Sequence, residues 1–296
     1  MSVLFRLAAF CVFACVLPLR AEQPLKISSF STVLSELATR VGGEAVQVYA
    51  HVKPGSDPHD FEPRPADLKR VSEADLVLLS AKHMEGYVGK LSEASGGRAR
   101  FLEVGAQLPS LWLRTEGTDG KALKEEDPHW WHSVENTRRA AKVVRDALGE
   151  LRPQQRELFQ KNAAAYVAEL GELQKWARQR IAELPRDKRK LVTSHDALQY
   201  FAKEYGFTVH PVEGLTPSEQ PASRQVAELL MTIKNQRVKA VFSEDTVNPK
   251  VLKQITSETG AVMGGQLWVD GLGTGEAATY PGMFRHNVNT IVEALK

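Results

Sequence analysis

Three of the eight histidines in this 296-residue chain sit where metal chemistry could be done. His59 lies in Lys53-Pro54-Gly55-Ser56-Asp57-Pro58-His59-Asp60, a turn-rich loop just after a candidate strand. His129 lies in Asp127-Pro128-His129-Trp130-Trp131, where a helical segment begins, and His195 in Thr193-Ser194-His195-Asp196, where a strand passes into a helix. Asp270, in Trp268-Val269-Asp270-Gly271, also follows a strand. Open α/β sheets bind ligands beyond the carboxyl ends of their strands, and all four residues fall at such ends. A single loop histidine is usually just a solvated polar residue. Three at equivalent positions, with a carboxylate, are suitable donors for zinc at about 2.0–2.2 Å in a tetrahedron. His132, three residues after His129, could share a helical face with it and is the alternative at that position. Asp60 and Asp196 could accept from ring N–H groups or could equally serve helix starts.

Other chemistry is thinly supported. There is no His-Glu-x-x-His and no Gly-x-Ser-x-Gly. Gly271-Leu272-Gly273-Thr274-Gly275 looks like a phosphate loop but lacks the full spacing and a following lysine, so a mobile turn is expected. His83 near Glu85 reads as a surface pair. Trp130 and Trp131 could shield a site from water or pack between lobes. A secreted zinc hydrolase would need Glu62 or Glu135 as general base toward a metal-bound water. An exported adhesion protein with a structural metal is a third class.

These residues need a frame. Candidate strands are Leu25–Ser31, Val46–Val52, Leu76–Ala81 and Arg100–Val104, then Leu191–Ser194, Thr208–Val212, Ala240–Ser243 and Ala261–Leu267. Helical patterns lie between them at Val33–Val41, Ala66–Ser72, Asn136–Leu148, Ala197–Tyr205, Ser223–Asn235 and Pro249–Thr259. Such alternation predicts parallel sheets in an α/β fold of two similar lobes. Midway runs one long helical pattern, Pro153 to Leu184, with Leu158, Tyr166, Leu170, Leu173, Ala177, Ile181 and Leu184 as its apolar stripe. It reads as a rigid strut between residues 22–152 and 186–296, itself spanning 153–185.

The first 21 residues stand apart. Met1–Ala21 has no acid, and Arg6 precedes the apolar run Leu7–Leu19, which suits a signal peptide better than a membrane span. Cleavage after Ala21 is the expected route to the periplasm, with lipid attachment at Cys15 the alternative. The two cysteines, Cys11 and Cys15, both lie in this segment, which excludes cysteine-based zinc sites and disulfides from the rest. The chain carries 38 basic and 36 acidic residues, and the segment holds two of the bases, Arg6 and Arg20. Without it the charges balance, which argues against a nucleic-acid partner.

Several stretches together resemble the substrate-binding proteins of zinc/manganese-type ABC importers, the cluster A-I or ZnuA/TroA-like family. Pro54-Gly55-Ser56-Asp57-Pro58-His59-Asp60-Phe61-Glu62-Pro63 with Ala74-Asp75-Leu76-Val77 is similar to the family's first ligand loop. Asp127-Pro128-His129 resembles the second, and Thr193-Ser194-His195-Asp196-Ala197 with Tyr200-Phe201 the third. Val269-Asp270-Gly271-Leu272, with Tyr280 and Arg285-His286-Asn287 beyond it, resembles the fourth. The resemblance implies two lobes, each a four-stranded, mainly parallel sheet with helices, joined by the long helix. It implies one transported ion in the cleft on His59, His129, His195 and Asp270, delivered to a membrane permease by a monomeric, non-enzymatic protein. Three nitrogens and one carboxylate favour Zn(II) over Mn(II); manganese or iron is the alternative cargo. Many zinc members carry a His-rich loop before the second ligand, whereas Leu108–Glu126 here has no histidine and is expected to be a mobile polar loop.

Overall fold

The computed structural model describes residues 23–116, 122–216, 223–244 and 250–296. The expected export segment, Met1–Ala21, lies outside them. Among the described residues no helix is long and apolar enough to cross a membrane.

The expected α/β architecture is present as two four-stranded parallel sheets. The first comprises β1 (Leu25–Ser29), β2 (Val46–Ala50), β3 (Leu76–Leu79) and β4 (Arg100–Glu103), in the order β2-β1-β3-β4. The second comprises β7 (Lys190–Thr193), β8 (Thr208–Pro211), β9 (Ala240–Glu244) and β10 (Val262–Leu267), in the order β10-β9-β7-β8. The central strands are short runs of fully buried aliphatics, such as Leu76–Leu79. Helices covering both faces of a parallel sheet produce that composition, so these strands were readable as apolar runs between turn residues.

Helix α1 (Thr32–Gly42) starts at Ser31, whose side chain accepts from the Leu34 N–H, and buries Val33, Leu34, Leu37, Ala38 and Val41. A short α2 (Pro65–Ser72) and α3 (Val88–Ser95) follow. Helix α4 (Val134–Leu151) packs along α5, the expected strut. That strut is a 3₁₀ turn at Pro153–Gln155 followed by α5 (Arg156–Ala182), which spans about 40 Å at 1.5 Å per residue. Its buried stripe is Phe159, Ala163, Tyr166, Leu170, Leu173, Ala177 and Ile181. Leu158, assigned to the stripe from spacing, points outward, and its neighbour Phe159 takes the core position. Helices α6 (Gln199–Tyr205), α7 (Ser223–Gln236), α8 (Lys250–Thr259) and α9 (Tyr280–Leu295) complete the second lobe.

Helix α9 is not among the helical patterns named from the sequence, and its first turn holds Pro281 and Gly282. Proline is tolerated there, and the Thr279 hydroxyl accepts from the Gly282 N–H at 3.2 Å. The polar stretch before His129 is a further correction. It contains an antiparallel hairpin, β5 (Trp112–Glu116) and β6 (Ala122–Glu126), pinned at its base by Lys82, whose Nζ donates to Glu126 at 2.7 Å.

The lobes are tied as well as joined. Glu36 of α1 accepts from the Tyr280 N–H at the start of α9 and from the Tyr166 hydroxyl of α5. The glycine run after Asp270 is packed between the lobes rather than a mobile turn: Leu272 N donates to Thr32 Oγ1 at 2.8 Å, and a Cβ on Gly271 would meet that oxygen at 2.4 Å. Gly105 shows the same tightness near the site. A Cβ there would lie 2.1 Å from the Ser80 carbonyl and under 3 Å from the Trp130 ring. Gly105→Ala is therefore expected to destabilise the protein by about 1–3 kcal/mol, the usual range for overpacking, as read by urea denaturation.

Candidate metal centre

The cleft between the lobes brings together His59, His129, His195 and Asp270. One donor atom from each lies within 4.8 Å of every other. His59 Nε2 is 3.2 Å from His129 Nε2, and Asp270 Oδ1 is 3.8 Å from each of them and 3.3 Å from His195 Nε2. A tetrahedron with bonds of about 2.1 Å has edges of about 3.4 Å, so these donors already stand near the spacing that a four-coordinate ion requires.

Each side chain arrives by a different device. His59 rides the loop between β2 and α2, its N–H held by Asp57 Oδ1 at 2.7 Å. His129 follows the β5–β6 hairpin rather than a strand of either sheet, and precedes a 3₁₀ turn, Trp130–His132, with Ser133 capping α4. Its N–H and its Nδ1–H both donate to Asp127 Oδ1 at 2.9 Å. His195 lies just past β7, beside β9, where the strand order of the second sheet reverses. The Glu244 carboxylate at the end of β9 accepts from Ser194 N at 2.9 Å, His195 N at 3.2 Å and His195 Nδ1 at 2.5 Å. Asp270 follows β10, where the Asn287 side-chain amide of α9 clasps Trp268 at both its N–H and its carbonyl.

The carboxylates behind the imidazoles are thus Asp127 and Glu244, not Asp60 and Asp196. Asp60 is exposed, and Asp196 accepts from Gln199 Nε2 at 2.7 Å. Asp127 was visible inside the quoted motif. Glu244 had one available signal, a carboxylate at the carboxyl end of a buried strand. By holding Nδ1–H, each carboxylate leaves Nε2 as the lone-pair nitrogen facing the cluster. Glu244→Gln keeps the shape but removes the charge. It is expected to weaken metal binding about 10- to 100-fold, measured by competition with a chromophoric chelator.

His132 is turned away from the cluster, its Nε2 donating to the Val269 carbonyl at 2.8 Å, and His129 is the one of the two that faces it. Trp130 and Trp131 are buried, donating to the Ser80 and Val269 carbonyls. Neither candidate general base is in the cluster: Glu62 is exposed, and Glu135 pairs with Arg138 and Arg139. His83 and Glu85 are not a surface pair either. Glu85 is buried and accepts from Ser80 N and Ala81 N, holding a turn in which Ala81, Lys82 and His83 all have positive φ.

The electrostatics of the metal-free cluster are uneven. Burial lowers His59 to about 4. Burial, with the neighbouring His195 and His59, sets His129 well below the usual imidazole range. Burial opposes charge on His195 too, but the Glu244 and Asp270 carboxylates outweigh it and raise that ring well above 6.5. The three histidines likewise outweigh the burial of Asp270 and hold it ionised, below the usual carboxylate range. Burial raises Asp127 to about 8. Two neutral imidazoles and one that holds a proton, His195, with the Asp270 anion facing them, form a site that a cation can take over by displacing that proton.

Comparison with known proteins gives the same picture over nearly the whole chain. Residues 28–294 match the family model described as "ZnuA: Zinc-uptake complex component A periplasmic". The manganese-binding lipoprotein MntA of Bacillus subtilis is 35% identical over 283 residues, covering 93% of this chain and 91% of that one. The iron-binding protein YfeA of Yersinia pestis is 30% identical over 300 residues, covering 99% and 95%. Among solved structures, the periplasmic zinc-binding protein TroA from Treponema pallidum superposes with a TM-score of 0.83 at 27% identity, covering 93% of this chain and 99% of that one. Those spans include both lobes, the strut and all four clustered residues, and the chain belongs to the ZnuA family of zinc-uptake complex components.

Proposed function

We propose that this protein captures a divalent metal ion, zinc in the first place, on His59, His129, His195 and Asp270 and hands it to the membrane permease of an ABC importer. One observation carries the reading: three imidazole nitrogens and one carboxylate oxygen, on segments of both lobes, face one another at near-tetrahedral spacing. A closed four-donor shell suits capture, because no position is left for a reacting water. Nitrogen-rich donors suit zinc better than manganese, which prefers more oxygens in an octahedron. The second reading, manganese or iron cargo, is favoured by the names of the relatives MntA and YfeA. Titration of the metal-free protein with zinc and manganese against a competing chelator separates them. Zinc is expected to bind more tightly; a preference for manganese would reverse the assignment of cargo while leaving the site intact.

The reading requires export, with residues 22–152 and 186–296 as working lobes on the strut 153–185. Cleavage after Ala21 and lipid attachment at Cys15 are two routes to the same compartment. The lipoprotein names of MntA and of PsaA from Streptococcus pneumoniae lend weight to Cys15. Mass measurement of the mature amino terminus distinguishes the routes.

A further inference from the structure

The four proposed ligands are not held alike. His129 and His195 are each fixed through Nδ1 on a buried carboxylate. The segment bearing Asp270 is braced from the other lobe. The Val269 carbonyl accepts from both Trp131 Nε1 at 2.9 Å and His132 Nε2 at 2.8 Å, and the Tyr280 hydroxyl donates back to the Trp131 carbonyl at 2.7 Å. All of these groups are buried. Parting the lobes here would leave several donors and acceptors without partners in a dry interface, which is the expensive way to open a protein.

His59 differs on three counts. Among the described residues its ring makes no hydrogen bond to a carboxylate or a carbonyl; its close ring contact is His129 Nε2 itself. Its loop leaves β2 through Pro54 and Gly55, the latter at φ 77°, and runs without helix or strand to Arg64. It also borders a cavity of about 310 Å³, shared with Lys82, Trp112, Lys124, Glu126 and Leu215. At about 30 Å³ per water, that is room for a cation still carrying several waters. Lys82 is paired with Glu126 at 2.7 Å and Lys124 lies over the Trp112 ring at 5.0 Å, and the carboxylates of Glu125 and Glu126 on the same wall balance the two lysine charges.

We propose that the hydrated divalent ion enters and leaves through this cavity and that His59 is the exchanging ligand, closing last on capture and letting go first on release. His129, His195 and Asp270 form the standing platform on which the ion is first received. The proposal rests on the metal-binding reading above.

Amide hydrogen exchange on the mature full chain, with and without zinc, tests it. Zinc is expected to slow exchange at residues 53–60 by about tenfold or more while leaving residues 267–272 nearly unchanged, since those are already braced. A Gly55→Ala variant supplies the kinetic arm. No atom lies within 4 Å of a Cβ placed there, so the substitution penalises the left-handed backbone without a clash and replaces no ligand. It should raise the zinc dissociation rate about fivefold, measured by stopped-flow transfer to a chelator. Protection concentrated at 267–272 with 53–60 unmoved, or a Gly55→Ala dissociation rate equal to wild type, would overturn the proposal. Wild-type zinc affinity in His129→Ala would instead remove the metal-binding reading, so the two failures are distinguishable.

Discussion

Replacing His129 with alanine is expected to weaken zinc binding by about two to three orders of magnitude. Closed four-ligand zinc sites are worth about 10–16 kcal/mol in all, so one ligand in four carries roughly 3–4 kcal/mol. At 1.4 kcal/mol per tenfold, that is about 100- to 1,000-fold in dissociation constant. His129 is the sharpest choice among the three histidines because its side chain is wholly buried, with its other ring nitrogen committed to Asp127. A replacement water would have to enter a space enclosed by Trp131, His59 and His195. The substitution also strips Asp127 of a partner, so a thermal melt of the metal-free variant must accompany the titration to separate lost affinity from lost folding. A folded His129→Ala protein that holds zinc as tightly as wild type in chelator competition would show the site to be misassigned.

Much of this arrangement was legible before the fold was known, and the boundary between what was and was not legible is physical. The central sheet strands announce themselves because parallel strands covered on both faces must be apolar throughout, as at Leu76–Leu79, whereas the edge strands β2, β4, β8 and β10 are only partly buried. The four clustered residues stand out because each follows such a run or opens a helical segment with Asp or Pro nearby. What escaped depends on contacts distant in the chain. Glu244 reaches His195 across 49 positions, and Trp131 reaches Val269 across 138. No local pattern encodes either bond. The left-handed turn at Ala81, Lys82 and His83 escaped for the same reason. Three successive non-glycine residues with positive φ have no sequence signature and persist because Glu85 accepts from the backbone behind them. The strut was legible by spacing, yet Leu158 was assigned inward because an apolar residue one position from the true stripe passes a periodicity test. The adjacent Phe159 buries more surface and fills the core position.

Zinc affinity should rise by about tenfold per pH unit across the neutral range, with about one proton released per ion bound. The sign follows from the metal-free cluster. His59, lowered to about 4, and His129, lower than its usual range, are already neutral at pH 7 and give up nothing. Asp270, held below the carboxylate range by the facing histidines, is already ionised. Among the four donor groups His195 alone keeps its proton, because the Glu244 and Asp270 carboxylates outweigh the burial that opposes its charge. A metal ion must displace that proton, so acid favours the metal-free form. Affinity stops rising once pH passes the raised value of His195, and the slope steepens toward two protons below about pH 4, where His59 also titrates. Calorimetry in two buffers of different ionisation enthalpy counts the proton directly, and chelator competition between about pH 5.5 and 7.5 should span roughly 100-fold. Glu244→Gln removes the carboxylate charge beside Nδ1, so its His195 should lose the proton at lower pH and flatten the profile near neutrality. A wild-type affinity independent of pH over that window would mean that His195 is not the residue holding the proton, and a Glu244→Gln profile as steep as wild type would mean that Glu244 is not what keeps it there.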